Sequence, residues 1–234
     1  MNKKTKASLT TSSDLAVPPQ HLQDILLEQY QKGQFVAAEK VAHSITRKFP
    51  KHQLSWTLLG AIFGQTGRYV EALAANRKVL ALSPRDAGAH YNLGITLKSL
   101  KKIKESESSF KQAITLKPNF VEAHNNLCII QKELGKLEEA AVTCKRAIVL
   151  NPDRTEAHFN LGVILKEQGK FDEAETSYRQ ALALDPNNFN AHSNLGVTLL
   201  ELGKLNEAEK SCKQAIALKP DLAAAHNNLG NVFE

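Results

Sequence analysis

The string Ala-His-X-Asn-Leu recurs along this chain at a constant interval of 34 residues. A recurrence at a fixed period of about 20–50 residues is the signature of a repeat architecture, in which each unit buries its apolar face only by stacking on its neighbours. Proline follows the same interval, so two independent markers agree on the repeat. The string occupies residues 89–93, 123–127, 157–161, 191–195 and 225–229, and the prolines are Pro50, Pro84, Pro118, Pro152, Pro186 and Pro220.

One unit, residues 155–188, indicates the local structure of all of them. Apolar and small residues follow at helical spacing before Gly169 and again after it. Gly169 ends the first helix, and Pro186 ends the second because the residue before a proline is disfavoured in the α region. Each unit therefore predicts two antiparallel helices joined by a tight turn. The first apolar set is Ala157, Leu161, Gly162, Val163 and Leu165, and the second is Phe171, Ala174, Tyr178, Ala181 and Leu184.

Small residues predict where the two helices of a unit touch. Gly162 and Ala174 allow two backbones to approach closely, while Leu161 and Tyr178 fill the space beside them. Since one helix pair cannot bury its apolar stripe alone, neighbouring pairs must stack into a solenoid.

Residues 56–84 carry a known motif. They nearly match the pattern W-x2-L-G-x2-Y…A-x3-F…P, and Asn76 stands where the pattern has phenylalanine. The chain thus resembles the tetratricopeptide repeat family, which implies an all-α fold: a right-handed superhelical solenoid of antiparallel helix pairs. Lys101 replaces the turn glycine and Ser106 the usual alanine, which predicts a looser unit at 87–120. The matching residues are Trp56, Leu59, Gly60, Phe63, Ala72 and Pro84.

The interval sets the expected boundaries. Residues 1–18, rich in Lys, Ser and Thr, are expected to be a disordered tail. Because residues 223–234 begin a seventh unit that stops inside its first helix, we expect the chain to be the N-terminal piece of a longer protein. The expected repeats are 19–52 (divergent), 53–86, 87–120, 121–154, 155–188 and 189–222.

Composition excludes several classes of function. The net charge is +6, but part of the excess lies in the first six residues and no basic stretch is interleaved with aromatics, so no nucleic-acid partner is expected. No secretory signal and no membrane-spanning stretch is present, so we expect a cytoplasmic protein without a membrane partner. Cys128, Cys144 and Cys212 are too few for a disulfide framework and are expected to be small buried apolar residues in a reducing compartment.

Five histidines share one position of the repeat and could suggest a metal site. Copies one repeat apart lie on different helices, about 10 Å apart, whereas a metal needs ligands at about 2 Å from one centre. Trp56 takes this position in its own unit, which indicates a flat packing group. No metal, cofactor or catalytic constellation is expected, and the chain is predicted to be a non-enzyme. The histidines are His90, His124, His158, His192 and His226.

An asparagine recurs on the first helix of each unit. In the family the first helices line a concave face that generally binds extended peptides, and an amide offers both donors and an acceptor to a peptide backbone. The resemblance therefore implies a peptide-binding row of asparagines, with specificity from adjacent residues; the alternative is that asparagine is simply frequent at this position. The row is Asn92, Asn126, Asn160, Asn194 and Asn228, and its neighbours are Tyr91, Asn125, Phe159, Lys98, Lys132 and Lys166.

Other interpretations remain open. The row also resembles the arm of O-linked N-acetylglucosamine transferases, and similar bacterial repeats precede sulfotransferase or 2-oxoglutarate oxygenase domains, so the chain could be the substrate-recognition arm of a larger enzyme. A clamp for chaperone C-termini is disfavoured, because Gly88, Glu122, Glu156 and Asn190 provide no basic residue there. The incomplete last unit could also promote self-association.

The core assignment makes a first prediction. Leu161→Ala is expected to lower the free energy of unfolding by about 2–5 kcal/mol, because it removes buried methyl groups and leaves a cavity. Urea unfolding measures the loss. A change below about 0.5 kcal/mol, typical of surface substitutions, would place Leu161 outside the core.

Overall fold

The structure is a computed structural model that describes residues 17–232. These residues form thirteen α-helices and no β-strand, which confirms the all-α class. Of the predicted tail, only Val17 and Pro18 lie within the described residues, and residues 233–234 of the expected seventh unit lie outside them. The helices are α1 (Gln20–Gln31), α2 (Phe35–Lys48), α3 (Gln53–Gln65), α4 (Tyr69–Leu82), α5 (Ala87–Ser99), α6 (Ile103–Leu116), α7 (Val121–Glu133), α8 (Leu137–Leu150), α9 (Thr155–Glu167), α10 (Phe171–Leu184), α11 (Phe189–Glu201), α12 (Leu205–Leu218) and α13 (Ala223–Val232).

The chain divides into two compact units. The first ends at Lys102 and contains α1–α5, and the second begins at Ile103 and contains α6–α13. Each has its own buried apolar cluster: residues such as Leu59 and Ile62 form one, and residues such as Ile164 and Leu199 form the other.

Within each unit, every helix packs against the helix before it and the helix after it. The first helices of neighbouring repeats also contact each other: α1 with α3, α3 with α5, α7 with α9, α9 with α11 and α11 with α13. No comparable contact joins second helices of the same unit, such as α8 and α10, in the described part of the chain. The first helices therefore form the inner side of each unit, which is the side where successive repeats lie closest together.

A small residue on the first helix faces a larger one on the second. A Cβ added at Gly162 would lie 2.7 Å from the ring of buried Tyr178, and one at Gly196 would lie 2.5 Å from Sγ of Cys212. Such distances are shorter than van der Waals contact, so the larger partner requires glycine opposite it. This contact sets how closely the two helices of a repeat approach. Leu184, predicted to lie in the apolar stripe, ends its helix at 39% exposure.

Cys128 and Cys144 occupy these same two positions on α7 and α8. All three cysteines are buried as predicted, but the structure joins this pair by a disulfide, with Cα atoms 5.5 Å apart, and leaves Cys212 as a free thiol. The prediction of three unbonded residues is therefore wrong for Cys128 and Cys144. The reason is geometric, because two cysteines at the facing positions of one helix pair have their Cα atoms within disulfide distance.

The turn inside each repeat requires a left-handed backbone. The turn glycines have φ between 70° and 75°, and Lys101 adopts φ 59° at the corresponding position. A residue with a Cβ in this region costs about 1–2 kcal/mol. Lys101 thus keeps the turn that glycine forms elsewhere, at the cost of local strain, and Ser106 is buried where other repeats place alanine. The glycines are Gly33, Gly67, Gly135, Gly169 and Gly203.

Ion pairs connect a second helix to the turn of the next repeat. Glu107 on α6 binds Lys111 of its own helix and Lys136, which precedes α8, both at 2.8 Å. Glu175 on α10 binds Lys204, which precedes α12, at 2.6 Å. Both carboxylates are largely buried, with side chains 10% and 12% exposed, so these pairs are better shielded from solvent than ordinary surface pairs.

The Glu107 pair makes stability depend on pH. Burial alone would raise the pKa of Glu107, but hydrogen bonds from Lys111 and Lys136 outweigh it and lower the pKa below its ordinary value. The stabilisation is therefore complete above the unfolded pKa of about 4.3 and is lost as pH falls through the lower folded pKa. Because both lysines are partly exposed, we expect Glu107→Gln to cost about 1 kcal/mol at neutral pH and much less under strongly acidic conditions. Urea unfolding across this pH range measures both.

Exposed Glu201 on α11 provides the matched control, because Glu201→Gln removes the same charge at the surface of the same unit. A loss for Glu107→Gln that stayed equal at acidic and neutral pH would mean that the amide disturbs packing and that the charge contributes nothing.

Candidate functional site

The five asparagines of the predicted row are half-buried on first helices. Asn92 lies on α5 in the first unit. The other four lie on first helices of the second unit that contact each other in succession, so they follow the inner side of that unit. They are Asn126 on α7, Asn160 on α9, Asn194 on α11 and Asn228 on α13.

Neighbouring repeats orient these amides. Asn160 Nδ2 donates to Asn125 Oδ1 at 3.1 Å, and Asn228 Nδ2 donates to Ser193 Oγ at 3.1 Å, one repeat earlier in each case. Asn194 Oδ1 accepts from Lys166 Nζ at 2.8 Å. Since an amide nitrogen carries two hydrogens, Asn160 keeps a second N–H after this bond.

Two further bonds run within a helix. Asn126 Nδ2 donates to the carbonyl of Glu122, and Asn194 Nδ2 donates to the carbonyl of Asn190, both at 3.0 Å. The four asparagines of the second unit are therefore held by hydrogen bonds within the chain, which lowers the entropy that a ligand would lose on binding.

The predicted neighbours have different positions. Asn125 is only 6% exposed, and its Oδ1 accepts the hydrogen bond that orients the Asn160 amide. The ring of half-buried Phe159 lies 6.0 Å from that of Tyr178. Beside it is a pocket of about 190 Å³ that brings three predicted site residues together. Its lining is Ile129, Lys132, Phe159, Asn160, Val163 and Ile164.

The predicted lysines lie near the ends of first helices. Lys132 forms an ion pair with Glu167 at 3.4 Å. Burial lowers the pKa of Lys166; the charge of Glu167 opposes this shift and that of Lys132 adds to it. Lys166 thus serves more as a donor to Asn194 than as a freely hydrated charge. Lys98 is half-buried in the last turn of α5.

The first unit contains a pocket that the sequence analysis missed. It has a volume of about 370 Å³ and is lined by residues of α3, α4 and α5, including Asn92. Tyr91, the other predicted residue on this part of α5, is half-buried next to Asn92. The signal was present in the sequence, because Asn76, which lines the pocket, replaces the phenylalanine of the repeat pattern.

The histidine column has a structural role. Each ring donates its Nε2–H to the carbonyl oxygen of the proline six residues earlier, at 2.8–3.0 Å. Trp56 Nε1 makes the same bond to Pro50 at 2.9 Å. The sequence identified a flat packing group but missed the donor that indole and imidazole share. Each ring connects a first helix to the end of the preceding repeat.

Between residues 17 and 232, no three His, Cys, Asp or Glu side chains are grouped as metal ligands would be. None of the helices in this range combines the length and the apolar character needed to cross a bilayer.

Family models match most of the chain. A "TPR repeat" model matches residues 130–169 and 164–203, and "Tetratricopeptide repeat" models match residues 24–87, 87–120 and 189–222. The chain belongs to the tetratricopeptide repeat family. No curated protein matches the sequence significantly.

Solved structures agree with this fold. The TPR protein YrrB is 24% identical with a TM-score of 0.68, over 80% of this chain and 96% of YrrB. The type IV pilus biogenesis factor PilW is 18% identical with a TM-score of 0.78, over 90% of this chain and 97% of PilW. MamA from Desulfovibrio magneticus RS-1 is 17% identical with a TM-score of 0.68, over 73% of this chain and 97% of MamA. At these identities the likeness concerns the fold alone.

The shared donor makes the histidine column testable. His192→Phe keeps a flat ring but leaves the Pro186 carbonyl without its partner, so we expect it to lower the free energy of unfolding by about 0.5–1.5 kcal/mol. His192→Trp keeps an N–H donor, as Trp56 does, and is expected to retain more stability than His192→Phe. Thermal and urea unfolding compare the two. Equal losses in both variants would show that ring shape alone matters.

Proposed function

We propose that this chain is a protein-interaction scaffold that binds extended peptide segments on the first-helix face of its second unit, through the row Asn126, Asn160, Asn194 and Asn228. The observation that carries the proposal is that Lys132, Phe159 and Asn160, three residues of the predicted site, line one pocket on that face. Binding rather than catalysis is the role proposed for these side chains.

The chemistry of the row suits a peptide backbone. An extended peptide presents alternating N–H donors and C=O acceptors, and an asparagine amide can pair with both. Because every repeat contributes the same group, the row would recognise main chain with little regard to sequence. Specificity would come from the pocket beside Phe159, where apolar Ile129 and Val163 can cover a ligand side chain.

The spacing of the row sets the length of the ligand. Four first helices about 10 Å apart span about 30 Å, and an extended chain covers about 3.3–3.6 Å per residue. A peptide of about nine residues would therefore contact all four asparagines. YrrB, which shares the fold, is itself described as a TPR protein with an unusual peptide-binding site.

The test uses a fluorescein-labelled peptide of about this length, selected on the wild-type chain from a random peptide library. The triple variant Asn126→Ala, Asn160→Ala, Asn194→Ala is expected to weaken its binding by about 1–3 kcal/mol. In this variant the peptide groups still leave water on binding, but they no longer find the asparagine amides as hydrogen-bond partners. Fluorescence anisotropy gives the dissociation constants, and circular dichroism verifies that the variant is folded.

A matched control removes polar side chains from second helices, through Gln180→Ala on α10 and Asn206→Ala on α12, both exposed. This control should bind like the wild type. Unchanged affinity in the asparagine variant would remove the row from the site. Binding that instead fell steeply with salt would indicate an electrostatic, nucleic-acid-like mode.

A further inference from the structure

The pocket of the first unit lies where one repeat lacks an aromatic side chain. In the repeat of α9 and α10, buried Tyr178 fills the space against Gly162. At the corresponding position between α3 and α4, Gly60 faces Asn76, whose Oδ1 lies against the glycine. Asparagine is much smaller than tyrosine, and the volume it leaves unfilled adjoins the 370 Å³ pocket that both residues line.

The polar groups of Asn76 are only partly used. The residue is 3% exposed, and its Nδ2 donates to Thr96 Oγ1 at 2.9 Å and to the Asn92 carbonyl at 3.3 Å. These two bonds fix the rotamer of the amide. Its Oδ1 accepts no hydrogen bond from any residue between 17 and 232. This oxygen is not fully buried, so a ligand in the pocket that Asn76 lines can reach it with a donor.

The rest of the lining disfavours a charged ligand. The walls are Gly60, Ala61, Gly64, Gln65, Tyr69, Asn76, Asn92, Ile95, Thr96 and Ser99. None of these side chains is charged, so an ionic group would lose its hydration without gaining a partner. The volume exceeds the roughly 150 Å³ that suffices to hold a benzene ring.

We infer that this pocket binds a neutral aromatic side chain with a hydrogen-bond donor, tyrosine foremost, from a peptide segment of a partner protein. The ring takes the space that an aromatic side chain at position 76 would fill in this repeat. Its hydroxyl donates to Asn76 Oδ1. This inference rests on the proposed function, because Asn92 lies both in the pocket lining and in the predicted asparagine row. It adds a specificity determinant in the first unit to main-chain recognition in the second.

The probe is N-acetyl-tyrosine N-methylamide, titrated into the ¹⁵N-labelled chain. We expect saturable shifts of the backbone amides of Ala61, Gly64, Ile95 and Ser99. The phenylalanine analogue, which lacks the hydroxyl, should bind several-fold more weakly, and the lysine and glutamate analogues should leave these amides unchanged. Asn76→Phe, which restores the aromatic residue of the repeat pattern, should abolish the shifts.

A second variant keeps the inference testable if the Asn76→Phe chain does not fold. Gly64→Leu projects into the pocket from α3, where a Cβ meets nothing within 4 Å, and should abolish the shifts without disturbing Asn76. No saturable shift with the tyrosine probe, equal binding of the lysine analogue, or unaltered binding in a folded Asn76→Phe chain would overturn the inference. The triple asparagine variant of the second unit should leave these shifts unchanged, so failure here is distinguishable from failure of peptide binding there.

Discussion

The close approach of the two helices within a repeat is the constraint on which the rest of the structure depends. It is set where Gly162 meets Tyr178, a contact in which even one added Cβ would clash. With that distance fixed, each first helix lies in a defined orientation against its second helix and against the next repeat. The half-buried side chains of the inner face, including the asparagine row, take their places as a consequence.

Different residue pairs satisfy this constraint, and each pair has a different consequence. Tyrosine opposite glycine gives a filled core, whereas Cys128 and Cys144 replace packing with a covalent bond. Asn76 leaves volume open and brings a polar acceptor to it. A single position of the repeat thus produces a packed interface, a disulfide and a pocket. The junctions between repeats are held separately, by the ring-to-proline hydrogen bonds and by ion pairs such as that of Glu107 with Lys136.

The interval of 34 residues predicted the helix pairs well because its markers, glycine and proline, act on the local backbone. What depends on partners in space was harder to foresee. The donor role of His192 depends on the position of the Pro186 carbonyl. The bond between Cys128 and Cys144 depends on two positions that face each other across α7 and α8. Asn125 is a predicted ligand contact, and its burial and its hydrogen bond to Asn160 follow from how neighbouring first helices stack. The departure at Asn76 was visible in the sequence, yet its consequence required the volume around it.

The most direct test of the central claim follows the asparagine side chains themselves. Their NH₂ resonances can be observed in a ¹⁵N-labelled chain while the library-selected peptide is titrated. Peptide binding on the first-helix face predicts that the amides of Asn126, Asn160 and Asn194 shift together and saturate at one dissociation constant. Shifts confined to second-helix side chains such as Gln180 and Asn206, with the row unchanged, would contradict it.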